Sequence, residues 1–191
     1  MRTVVHLSDL HFGKVDQDLL APLVKTVNAL APEVVVVSGD LTQRARTAQF
    51  AQVGKEVIKV VVTHHPFDVP SHIDAGERVG RAEMAMAVFA QCGVDLLQAG
   101  HLHTSRIAGT GDRYALSGYE ALVVSAGTAT STRGRGETKS FNLLRLQKQR
   151  IEVERYEWVI EDRRFAPVSR ETFERKLKGW TPVARMSLGI T

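Results

Sequence analysis

Four consecutive valines, Val34 to Val37, run directly into Ser38-Gly39-Asp40. A run so short and so β-branched reads as a strand covered on both faces rather than one that turns alternate residues to water. Two more stretches are of this kind: Thr3-Val4-Val5-His6-Leu7 and Val57-Ile58-Lys59-Val60-Val61-Val62-Thr63. Between them, Leu19, Leu20, Leu23, Val24, Val27 and Leu30 recur at helical intervals. A short helical piece is expected around Arg46–Gln52. Another follows over Arg81–Gln91, with Ala82, Ala85, Met86 and Phe89 on one side, and then a short strand at Val94-Asp95-Leu96-Leu97. Strand and helix alternate, which places the chain in the α/β class.

The second half changes character. Ala121–Ser125 reads as a strand. Phe141–Leu146 and Ile151–Ile160 read as two strands joined across Gln147-Lys148-Gln149-Arg150. These strands are expected to form a second sheet packed on the first. The polar, basic stretch from Glu161 to Thr191 is expected to be a peripheral helix and tail, with helical propensity around Glu171–Lys178. The expected domain therefore spans 1–160, followed by the tail at 161–191.

A chain of 191 residues suits one domain with a substantial core. Its formal charge of +4 is spread with mixed sign and forms no nucleic-acid stripe, although nucleic acid is not excluded as a partner. Cys92 is the one cysteine, so no intrachain disulfide forms, and its apolar surroundings predict a small buried hydrophobe. That usage fits a cytoplasmic setting. The opening apolar run breaks at His6 and Asp9, too early for a secretory signal, and no stretch is long enough for a membrane span.

Chemistry-bearing residues collect where the expected strands end. Ligands of open α/β sheets gather there, because the loops converge above the strand ends. Asp9 and His11 follow the first strand. Two residues apart, they share a side in extended chain. Asp40 follows the valine strand across Gly39, a position a turn or capping aspartate could also fill. His64 and His65 end the third strand. Extended, they would point opposite ways, so at most one is expected to hold a metal and the other to touch substrate or to pack. Gly100-His101-Leu102-His103 follows the short strand and again sets two imidazoles on one side. Five of the seven histidines lie in these clusters. His6, inside the first strand, reads as packed, and His72 as a loop residue. A set of imidazoles and carboxylates without thiolate suits manganese, iron, zinc or cobalt, and argues against a closed structural zinc site.

In this order the motifs resemble the signature of the calcineurin-like metallophosphoesterases, with a lean toward the bacterial branch that contains cyclic-nucleotide phosphodiesterases. Asp9-Leu10-His11-Phe12-Gly13, Gly39-Asp40-Leu41, His64-His65-Pro66 and Gly100-His101-Leu102-His103 carry the likeness. The resemblance implies a four-layer αββα sandwich and two divalent ions. Asp9, His11 and His103 would hold one ion, His64 and His101 would help hold the other, and Asp40 would bridge them. It implies hydrolysis of a phosphate ester of a small molecule, a phosphodiester or cyclic nucleotide, with the metal-activated water as nucleophile. His65 and Arg44 are candidates for gripping the phosphate, as are the hydroxyls and arginines of Gly127–Gly136. A lipid-precursor pyrophosphatase or a nuclease of the same family, and a non-catalytic scaffold on the same fold, are the alternatives.

One family element is absent. The Gly-Asn-His motif, which would supply a second-metal asparagine and the usual catalytic histidine, has no counterpart, so no catalytic proton donor is assigned. The asparagines are Asn28 and Asn142, and 23 residues separate Asp40 from His64. Either an internal segment is missing near residues 52–53 or the chain natively lacks it. The abrupt passage from the helix-like Ala48–Gln52 to the strand-like Val53–Glu56 favours a missing segment.

Overall fold

The computed structural model describes the backbone of Val4–Ser8 and Val34–Ser38, positions 26 and 29–31, and residues 58–70, 73, 75–130 and 136–189. Ten strands and the α-helix Ala82–Cys92 organise these residues, with further helical positions at 26 and 29. Strands β1 (Val4–Ser8), β2 (Val34–Ser38), β3 (Ile58–Thr63), β4 (Leu96–Ala99), β5 (Arg106–Gly109) and β6 (Leu122–Ser125) form one sheet in the order β1-β2-β3-β4-β6-β5. All pairings are parallel except β5 with β6. Strands β7 (Ser140–Gln147), β8 (Arg150–Val159), β9 (Arg164–Lys176) and β10 (Gly179–Ser187) form an antiparallel meander, the second sheet.

Period-two alternation sorts the apolar residues of the first sheet into two cores. Val61, Leu97 and Val123 face helix α1 (Ala82–Cys92), where they meet Ala82, Ala85, Met86 and Phe89. Their neighbours Val60, Leu96, Leu122 and Val124 face the second sheet, against Ile151, Val153, Phe173 and Trp180. Leu96 and Met86 are fully shielded from water. Each such side chain stabilises the fold by about 1.5–3 kcal/mol relative to exposure. The expected buried face of α1 is therefore the observed one, and Cys92 is buried with it.

Helix α1 stops in a Schellman arrangement. Gly93 adopts φ 62°, its N–H reaches Ala90 O at 3.2 Å, and Val94 N–H reaches Phe89 O at 3.0 Å. Glycine takes this left-handed conformation without a Cβ penalty, and the Val94–Phe89 apolar pair completes the motif.

The architecture is α/β with two sheets packed face to face, as the sequence implies. Helix α1 and the two sheets supply three layers. The fourth layer that the resemblance implies is not among the described elements, and the expected helix at Arg46–Gln52, most of the one at 19–30, and the junction near 52–53 lie outside the described residues. Two expectations need correction. Ala121–Ser125 contributes β6 to the first sheet rather than to the second, because Leu122 to Ser125 are buried on both faces. The supposed C-terminal helix and tail are strands β9 and β10, which bury Phe173 and Trp180 in the inter-sheet core. Cross-strand pairing with β8 overrides the helical propensity of Glu171–Lys178.

A parallel bridge between Glu120 and Gly179 brings the start of β10 against the first sheet. Gly179 sits at φ 142°, and a Cβ there would stand 1.9 Å from the Glu120 carbonyl oxygen. No other residue fits without moving backbone.

Candidate metal centre

Strands β1 to β4 lie side by side and run the same way, so their C-terminal ends share one border of the sheet. Ser8 pairs with Ser38 and Thr63 with Ala99. In sequence, Asp9 follows β1, Gly39-Asp40 follows β2, His64-His65 follow β3 and Gly100-His101 follow β4. Asp9, His11, Asp40 and Arg44 lie outside the described residues, as does His72. The same holds for the side chain of His6. His64, His65, His101 and His103 are described.

At that border His64 Nε2 and His101 Nδ1 face each other at 3.1 Å. The rings of His65 and His101 are 3.9 Å apart between centroids, and those of His64 and His65 5.0 Å at nearly a right angle. One ligand atom from each of His64, His65 and His101 falls within 4.8 Å of the others. His64 and His65 are exposed and His101 is half-buried. The expectation that adjacent histidines diverge assumed extended chain. The backbone bends directly after Thr63, and both rings turn to the same space.

The loop under His64 and His65 is firmly held. Thr63 Oγ1 donates to His65 O at 2.7 Å. Phe67 is buried edge-on to Phe89, with ring centroids 5.1 Å apart. Asp68, 1% exposed, accepts from Arg106 at 2.8 Å and from Arg113. Tyr114 donates its hydroxyl to the Phe67 carbonyl, and burial pushes that phenol above its ordinary pKa, so it stays a donor. A buried carboxylate with two guanidinium partners is a rigid joint, because losing either partner leaves charge stranded.

The other loop is strained. His101 and His103 have φ 61° and 57°, in the left-handed region that non-glycine residues seldom enter. Leu102 N–H bonds to Gly100 O at 2.7 Å, which closes a three-residue turn centred on His101. Buried Leu102 pins this turn, and Ser105 N–H donates to Glu137 Oε2 at 2.8 Å. Arg155 of β8 holds the same Glu137 oxygen at 3.0 Å. Strain kept in place by its surroundings is a common mark of functional loops. It also means that His101 and His103 do not share a side in the extended-chain manner expected, and His103 stands outside the three-histidine group.

Sequence reasoning passed over Glu77. Its carboxylate Oε2 lies 2.6 Å from His101 Nε2, and its backbone carbonyl lies 3.3 Å from His65 Nδ1. Nothing in the local Gly76-Glu77-Arg78 sequence marks it out. Glu137 escaped notice for the same reason.

The imidazoles fit a divalent cation. Two nitrogens bound to one tetrahedral ion at about 2.0–2.1 Å stand about 3.3 Å apart. The His64–His101 separation of 3.1 Å is close to that value. Imidazole donors suit zinc, iron, cobalt or nickel, and carboxylates would extend the range toward manganese.

No helix among the described residues is long and apolar enough to cross a membrane. Neither a protein-family model nor a curated protein matches the chain. Several solved structures resemble it in chain path. Vps29 from Entamoeba histolytica complexed with zinc shares 18% identity at a TM-score of 0.34, over 86% of this chain and 97% of that one. Vps29 from Chaetomium thermophilum shares 14% at 0.36, over 92% and 100%. A protein from Streptococcus pneumoniae described as a predicted phosphoesterase shares 15% at 0.34, over 91% and 98%. Likenesses this distant carry nothing about the site, which stands on the geometry above.

Proposed function

We propose that this chain is a metal-dependent phosphoesterase that hydrolyses a phosphodiester of a small molecule. One observation carries the reading: two nitrogens from loops 37 residues apart in sequence meet 3.1 Å apart at the border where β1 and β2 also end. Asp9 and Asp40 immediately follow those two strands or their turn. In this reading His64 and His101 hold one ion, Asp9, His11 and His103 hold the second, and Asp40 lies between them. Bound divalent ions would lower the pKa of a water and neutralise charge on phosphoryl oxygens. The chain's part is to hold the imidazoles in place on the Asp68 and Glu137 anchors and to position the ester. His65 and Arg44 are the residues proposed to grip its phosphate, with Gly127–Gly136 at the mouth. Ser140 N–H bonds to Thr128 O at 3.0 Å, which ties the base of that segment beside Ser105.

The test is hydrolysis of bis(p-nitrophenyl) phosphate with manganese, iron or zinc supplied, together with a metal count. His101→Ala and His103→Ala should each abolish metal-dependent turnover while the protein stays folded. Normal turnover in either variant sinks the ligand assignment.

A second reading has one observation in its favour: the sequence contains no Asn-His pair. A scaffold that binds a metal without turning over esters would bind zinc or cobalt and show no hydrolysis with any of the three metals.

A further inference from the structure

The geometry points to Glu77 as the positioning residue of the histidine cluster: its carboxylate and its backbone carbonyl set which nitrogen His101 and His65 present. The inference rests on the phosphoesterase reading only for the purpose of the site. The hydrogen-bond logic stands apart from it.

A carboxylate accepts and does not donate. At 2.6 Å from Glu77 Oε2, His101 Nε2 must carry the proton. His101 Nδ1 is then a lone pair, and it is the atom that faces His64 Nε2 at 3.1 Å. His65 Nδ1 faces the Glu77 carbonyl oxygen, which also only accepts, so His65 is protonated at Nδ1 and presents Nε2. One residue thus fixes two imidazoles through two different oxygens. Histidines that hold metals usually donate their other N–H to a carboxylate or a carbonyl, and here both kinds of acceptor come from Glu77.

A consequence follows for His64. In the metal-free chain its Nε2 donates to the His101 lone pair. Were both nitrogens to hold a divalent cation, His64 Nε2 would have to present its lone pair, and a neutral His64 would then carry its proton on Nδ1. Loading the site should therefore switch the tautomer of His64 and leave that of His101 unchanged.

The experiment reads proton positions from long-range imidazole ¹H–¹⁵N spectra of the metal-free protein in mildly alkaline buffer, then adds cobalt(II). In the wild type, His101 should carry its proton on Nε2 and His65 on Nδ1. In Glu77→Ala, His101 should become a mixture of tautomers while His65 is unchanged, because the backbone carbonyl remains. Cobalt affinity should fall about 10–100-fold in Glu77→Ala. Glu77→Gln, whose amide oxygen still accepts, should restore both the tautomer and most of the affinity. A wild-type His101 protonated on Nδ1, or on both nitrogens, overturns the proposal. So does a Glu77→Ala protein with unchanged tautomer and affinity. The wild-type spectrum decides the matter even where Glu77→Ala fails to fold. Absence of ester hydrolysis alongside the expected proton positions would count against the phosphoesterase reading and leave the role of Glu77 standing.

Discussion

Titratable side chains gather at both ends of the parallel strands, but on opposite terms. Beyond Thr63 and Ala99, at the C-terminal ends, His64 and His65 are exposed, and His64 Nε2 and His101 Nδ1 look at one another. Beneath Lys59 and Leu96, at the N-terminal ends, Asp95 is 6% exposed. It accepts from Lys59 N–H at 2.9 Å and Trp180 Nε1 at 3.2 Å, and pairs with Arg175 at 2.8 Å. Arg175 also lies over the Trp180 ring, 4.7 Å from its centroid. The lower cluster joins β3, β4, β9 and β10, and so fastens the two sheets together. The upper cluster is held up by others, Asp68, Glu77 and Glu137. Polar groups paired with one another in the interior serve stability, whereas imidazole nitrogens that meet at a strand-end border are placed for a ligand.

If that division is right, substitutions at the two ends should separate binding from stability. The largest effect belongs to the upper end. His101→Ala should lower metal-dependent turnover by more than about 100-fold and cost about 1 kcal/mol of stability, since it removes the hydrogen bond to Glu77 but opens no cavity in either core. At the lower end, Asp95→Ala should cost about 3–5 kcal/mol, because it leaves the Trp180 and Lys59 N–H groups without their acceptor and the half-buried Arg175 without its partner. The corresponding drop in melting temperature is on the order of 10 °C. Activity per folded molecule should not change. Calorimetry and a turnover assay on the two variants check both statements, and a loss of turnover in folded Asp95→Ala protein would erase the distinction.

Gly179→Ala tests the lower end by sterics rather than charge. The added methyl meets the Glu120 carbonyl, and the backbone at φ 142° is one that alanine resists. A loss of about 2 kcal/mol or more is expected, again without effect on metal affinity. An unchanged denaturation midpoint would show that the Glu120–Gly179 bridge is not needed to close the sandwich.

The two ends also differed in how plainly the sequence announced them. Valine-rich strands ending in Asp or His are a strong pattern, since buried parallel strands read as continuous apolar runs. Helix α1 was legible from Ala82, Ala85, Met86 and Phe89. Ala121–Ser125 carried the same continuous apolar signal as β2, yet the expectation put it in the second sheet, because its place in the chain, next to the strands of the second half, outweighed that signal. Strands β9 and β10 were hidden by their charge. Arg170 pairs with Glu154 at 2.6 Å and Arg175 with Asp95, so residues that looked like a solvated tail are structural. At the site, the histidines were visible as residues, but their directions were not. Positive φ at His101 and His103 and the bend after Thr63 are set by Leu102, Asp68 and the surrounding packing. Glu77 is 24 residues from His101 in sequence, and only the fold makes them neighbours.

The smallest expected effect lies in alkaline pH, at the lower end, where Lys59 Nζ donates to the Cys92 carbonyl. Burial pushes the Cys92 thiol above its ordinary value of 9.0, with the Lys59 charge pulling it back. Burial also pushes the Lys59 ammonium below its ordinary value of 10.5, against the opposing pull of Cys92 and Asp95. The two act with opposite sign. Above 9.0 the unfolded thiol ionises while the folded one keeps its proton, so the Cys92 contribution to stability is lost as pH climbs toward the folded value. Lys59 loses its proton first in the folded state. Between its folded value and 10.5 the unfolded chain binds more protons, and stability rises with pH. Tyr119, raised by burial, adds to the Cys92 side. Denaturation midpoints measured from about pH 8 to 11 should therefore fall more steeply in Lys59→Met and less steeply in Cys92→Ala than in the parent chain. Parallel curves for all three would mean that these groups are as wet as the histidines at the other end. The contrast between the two ends would then be a matter of position alone.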